Sequence, residues 1–150
     1  MENITIETGV KRIMINDDPN NVLEFSPEDI TFAEHFYQLI QDFQVKQAEY
    51  QKRAEAIDAN KELDASGIPA NVPAGLAMMH EICDFMREQI DLLFGAGTSQ
   101  KVFGDALSLT MYEQFFQQVT PFIQRSRSEK LAQYAPPPAA KKRHKKAIMK

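Results

Sequence analysis

The chain has no tryptophan, one cysteine, three histidines and six glycines in 150 residues. A lone thiol, Cys83, closes no intramolecular disulfide, so a packed core must hold the fold, and a reducing compartment such as the cytoplasm is the expected setting. No apolar run approaches the roughly 18 residues of a membrane span. Met1–Glu7 lacks the basic and apolar regions of a secretory signal. The expectation is therefore a soluble protein without a membrane role. Acids are missing from the last fifteen residues, which hold Lys141, Lys142, Arg143, Lys145, Lys146 and Lys150. The formal charge of −4 thus divides into a basic tail and a body in which 11 basic side chains face 21 acidic ones, net −10. A body of that sign repels phosphate, which leaves only the tail as a nucleic-acid contact.

What is present suits one domain: 43% hydrophobic and 25% charged residues are ordinary for a globular chain of this length. Ile4, Ile6, Val10, Ile13 and Ile15 alternate with polar residues around Thr8-Gly9, which predicts a hairpin turning there. Asn16–Asn21 reads as a loop and Val22–Phe25 as a third short strand. Ser26-Pro27-Glu28-Asp29 predicts a helix start, with Ser26 as N-cap, Pro27 in the first turn and acids at the positive end of the dipole. The helix then runs to about residue 59. Its apolar stripe thins after Gln44 to Tyr50, Ala54 and Ile57, a seam suited to another helix, so the second half is expected to project. A connection around Gly67 and Pro69 precedes a second helix from about Pro73 to Gly95, with a core face of Leu76, Met79, Ile82, Cys83, Met86, Ile90, Leu93 and Phe94. A short helical turn is expected at Ser99–Phe103. Thr110 and Glu113 match a capping box before a third main helix, in which Pro121 should kink or break the chain before Tyr134.

The fold class expected is mainly α: about three main helices, the first one long, with a small N-terminal antiparallel β-hairpin or sheet and a disordered C-terminal tail. Three parts follow, namely a β segment (1–25) packed on the helices, a helical domain (26–135) and a Pro-rich, then basic tail (136–150).

Chemistry-bearing residues are few. His80 and Asp84 share a helix face at the spacing of a zinc-protease pair, but the second histidine is missing and a surface pair explains them better. Cys83 sits among Ile82, Met79 and Met86, where a thiol packs as a small hydrophobe. Gly95-Ala96-Gly97-Thr98 follows a helix instead of preceding one, which suits a C-cap and not a phosphate loop. No catalytic, cofactor-binding or metal-binding residue is expected, and the protein is read as a non-enzyme. Lys141, Lys142, Arg143, Lys145 and Lys146 form an electrostatic tail without interleaved aromatics, suited to solubility or to an acidic partner. Ten Phe and four Tyr exceed what a small helical core easily encloses, which makes the exposed seam Tyr50, Ala54, Ile57 and the aromatics Phe115 and Phe116 the candidate partner-binding positions.

The block Val22-Leu23-Glu24-Phe25-Ser26-Pro27-Glu28-Asp29-Ile30, the following Phe32–Ile40, the segment Leu93–Asp105 and the block Tyr112–Ile123 together resemble the tail assembly chaperones of long-tailed bacteriophages and prophages. That resemblance implies a nonstructural factor in the host cytoplasm that binds the tape measure protein, assists tail-tube subunits to polymerise around it and forms homo-oligomers. Such factors are often made in a short and a frameshifted long form. Two rival readings are a minor structural tail protein of connector or completion type, and a small DNA-associated phage protein using the basic tail.

Overall fold

The computed structural model describes residues 1–134. The Pro-rich and basic segment, with Lys141, Lys142, Arg143, Lys145 and Lys146, lies outside the described residues. The described elements are β1 (Lys11–Ile15), β2 (Asp18–Phe25), α1 (Ile30–Ala59), α2 (Asn71–Phe94), α3 (Thr98–Phe103) and α4 (Leu109–Tyr134). The chain is mainly helical with an N-terminal antiparallel two-stranded sheet, as its patterning predicts.

The hairpin turns one segment later than expected. Residues 1–10 form no strand, and the turn falls at Asn16-Asp17, whose φ angles are +52° and +60°. Two consecutive left-handed residues match the right-handed strand twist, and Asn and Asp are the side-chain-bearing residues that adopt that region most readily. Ile13 pairs with Leu23 and Lys11 with Phe25, so Ile13, Ile15, Leu23 and Phe25 point at the helices while Arg12 and Glu24 form an outward ion pair at 3.0 Å.

Helix α1 starts three residues later than the Ser26 expectation. Asp29 is its N-cap, accepting from the backbone N–H groups of Thr31 (2.9 Å) and Phe32 (3.4 Å), while Ser26 closes the preceding turn through its carbonyl. At 1.5 Å per residue its 30 residues span about 45 Å. α2 runs antiparallel to it: Phe32 meets Phe94 at one end (5.4 Å between rings) and Arg53 meets Glu81 toward the other. α4 is capped from Ser108, whose hydroxyl accepts from the Met111 N–H at 3.4 Å, and not by Thr110. It passes through Pro121 unbroken. The missing proline N–H leaves one turn short of a bond, and the adjacent Thr120 hydroxyl donates to the Phe116 carbonyl at 2.6 Å.

The core lies where the hairpin, α3 and the three long helices meet. Phe36, Ile90, Tyr112 and Ile123 are its fully enclosed side chains. Phe25, Phe94, Phe115 and Phe103 form an edge-to-face chain, with Phe94 to Phe115 at 5.3 Å and Phe103 to Tyr112 at 4.7 Å. Such pairs contribute about 0.5–1.5 kcal/mol each beyond area burial. This arrangement corrects the expected aromatic surplus, because no phenylalanine is exposed. Tyr134 is the one exposed ring among the described residues, and the other uncovered large apolar residues are aliphatic or methionine. Among them are Leu76 and Met79, expected in the core but 63% and 48% exposed, because α4 starts too late to cover them.

The α2–α3 connection is fastened by Asp91, whose carboxylate accepts from the Ser99 N–H (2.7 Å) and the Ser99 hydroxyl (3.0 Å). Arg87 donates to the Gly104 and Ala106 carbonyls, pinning the loop before α4. Replacing Asp91 with alanine unpairs two donors of the buried Ser99, and urea melts should show a loss of about 1–3 kcal/mol.

Candidate apolar groove

The middle of α1, the middle of α2 and the first turns of α4 do not close fully on one another. They leave a groove of about 580 Å³. α1 supplies Leu39, Ile40, Phe43, Tyr50 and Ala54, α2 supplies Met78, Ile82 and Met86, and α4 supplies Leu109, Tyr112 and Phe116. Gln44, Gln47 and Gln51 edge it from α1, and Glu113 and Gln117 from α4. Helical periodicity explains the division: Phe43, Tyr50 and Ala54 continue the inward stripe, while Gln44, Gln47 and Gln51 recur beside it at spacings of three and four. The result is an apolar trough with an amide-rich rim and one charged lining side chain, Glu113. That lining suits an apolar helix face better than a polar metabolite, which requires several convergent polar groups.

The sequence-based partner-binding residues are distributed unequally. Tyr50, Ala54 and Phe116 line the groove together. Tyr50 is buried and not exposed as its seam suggests, and Ala54 and Ile57 are half-buried. Ile57 lies outside the groove lining. Phe115 is also buried, facing Phe94 and Phe103, and contributes no surface. Met78, Leu109 and the glutamine rim were missed. The glutamine spacing was visible in the sequence, but which residues of α4 would face it was not.

The α1–α2 hairpin is braced beside the groove. Arg53 and Glu81 approach to 2.6 Å, with Lys46 over the Phe85 ring and Arg53 over the Tyr50 ring. The Arg53 hydrogen bond holds the Glu81 carboxyl below its usual range. Burial, then the nearby Glu81 and Glu49 charges, pushes the Tyr50 hydroxyl up, so it stays neutral at physiological pH.

The other candidate chemistry is dispersed. His80 and Asp84 are a surface pair at 3.0 Å, both more than half exposed. Cys83 is buried against Tyr112, and its pKa is raised, chiefly by burial. Its thiol should therefore resist a disulfide-exchange reagent at pH 8 in the native protein and react fully in guanidinium. Rapid native labelling would contradict that placement. Among the described residues, no three His, Cys, Asp or Glu side chains are grouped to hold a metal ion. No helix among them is long and apolar enough to cross a membrane.

Comparison with known families matches residues 19–146 to a family of unknown function (DUF6673). No curated protein and no solved structure matches the chain.

Proposed function

The chain belongs to the DUF6673 family, and we propose that it is a non-enzymatic assembly chaperone whose apolar groove receives an amphipathic helix of a larger partner. The groove itself carries this reading: three helices present eleven aliphatic, sulfur-bearing or aromatic side chains to it, and the rim offers four glutamine amides and a single charge, Glu113. A client helix would bury its apolar face there and exchange hydrogen bonds with the glutamines. The acidic body, net −10, keeps such a surface in solution by mutual repulsion between copies.

By its resemblance to phage tail assembly chaperones, the client we propose is the tape measure protein, with the tail-tube protein as the second partner and the host cytoplasm as the place of action. Co-expression with a tape measure protein encoded beside this chain tests the proposal. The expected result is a soluble complex that elutes as one species; unchanged solubility and separate elution would overturn it. The two rival readings have their own signatures. A structural tail component stays in purified particles, from which a chaperone is absent. A DNA-associated protein loses DNA binding steeply with salt and with deletion of residues 136–150, whereas groove binding persists at high salt.

A further inference from the structure

A second groove, of about 590 Å³, lies between the first turns of α1 and the last turns of α4 and shares no lining residue with the first. Ile30, Ala33 and Tyr37 line it from α1, and Leu131 and Tyr134 from α4. Ile30, Leu131 and Tyr134 are 74%, 55% and 86% exposed, which makes them an apolar patch that the described residues leave uncovered. The charged side chains of the lining balance, Glu28 and Glu34 against Arg127 and Lys130. Ser126, also in the lining, is only 9% exposed, and its hydroxyl has no hydrogen-bond partner among the described residues. A buried hydroxyl without a partner is costly, so what fills the groove is expected to bring an acceptor.

We propose that this groove receives the chain's own Pro-rich segment, residues 135–140, docked in a polyproline conformation against Tyr37 and Tyr134, so that the basic run after it is held at the surface of the acidic body. Position favours this occupant. Tyr134 is both the last residue of α4 and part of the groove, and Pro136 follows it by two residues. Over so short a tether the effective concentration is about millimolar, which puts a peptide from outside at a disadvantage. Length fits as well: Ser126 to Tyr134 covers about 12 Å of helix, and Pro136–Ala140 covers about 15 Å in a polyproline conformation once the chain turns back at Ala135. The chemistry matches the lining. Ala-Pro-Pro-Pro-Ala-Ala carries no charge, as a balanced lining requires, and three of its six residues have no N–H to leave unpaired. Proline-rich segments dock on aromatic walls at little entropic cost, and their free carbonyls supply the acceptor that Ser126 lacks. Charge then reinforces the contact, because six basic side chains on residues 141–150 stay beside a body of net −10. The segment also lies inside the family match, which extends to residue 146.

Paramagnetic relaxation in the full chain tests the proposal. A nitroxide attached at Ala139→Cys, with the buried Cys83 left unlabelled, should broaden the Ile30 methyl resonance beyond detection and leave that of Leu92, outside the groove, unchanged. Leu131→Asp, at an exposed position in the lining, should keep the helical circular dichroism and lower the relaxation rate at Ile30 by about tenfold, because it sets a carboxylate against the docked prolines. Glycine in place of Pro136, Pro137 and Pro138 should lower it by about as much without altering α4. An Ile30 resonance that stays sharp overturns the proposal. So does broadening that neither variant reduces, which would mean that the segment only passes near the groove. Broadening of equal strength in a mixture of spin-labelled and isotope-labelled chains also overturns it, by placing the segment in the groove of another copy.

Discussion

Phe36→Ala should cost about 3–5 kcal/mol of folding stability, a large part of the 5–15 kcal/mol typical of a single domain. Phe36 has no exposed surface and packs with Tyr37 (5.5 Å) and Phe116 (6.3 Å), at the point where α1, α4 and the aromatic chain converge. Removing the ring leaves a cavity that two long helices cannot collapse around without shifting along their whole contact. Equilibrium urea unfolding followed by circular dichroism gives the number. A loss below about 1 kcal/mol would mean that the three-helix core is not built around this ring.

The second large effect concerns binding and not folding. Ala54 is half-buried on the α1 wall of the groove, close to the surface, so glutamate at this position can direct its carboxylate to water in the free protein. With a client helix seated, that carboxylate must be desolvated or must displace the helix. Ala54→Glu is therefore expected to change stability by less than about 1 kcal/mol and to weaken client binding by about 100-fold or more. Titration of a labelled tape measure segment, with a urea melt of the variant alongside, separates the two effects. Equal loss of folding and binding would show that Ala54 acts through the core.

Much of the helical architecture was legible because it rests on local rules. The glycine after Phe94 ends α2, the stripe of α1 runs to Ala59 without a glycine or proline to stop it, and the short α3 follows Gly97. The misplacements came where two local signals competed. Thr8-Gly9 and Asn16-Asp17 both suit a turn, and only the inward packing of Ile13, Ile15, Leu23 and Phe25 decides between them. Ser26 and Asp29 both suit an N-cap, and the one whose carboxylate reaches two free N–H groups prevails. Burial of the α2 stripe depends on a long-range fact, the residue at which α4 begins, so Leu76 and Met79 read as core although the neighbour that would cover them is absent. The groove was half-visible for the same reason. Tyr50 and Ala54 follow from the spacing of α1, whereas Met78 and Leu109 join them only once three helices have packed.

The central claim is that a client helix lies between α1 and α4, and a site-specific photo-crosslinker reports on it most directly. Placed at Gln47 on the groove rim, it should capture the co-expressed tape measure protein, while the same group at Leu92, an exposed position outside the groove, should not. Capture from Leu92 alone, or equally from both positions, would contradict the assignment of the groove.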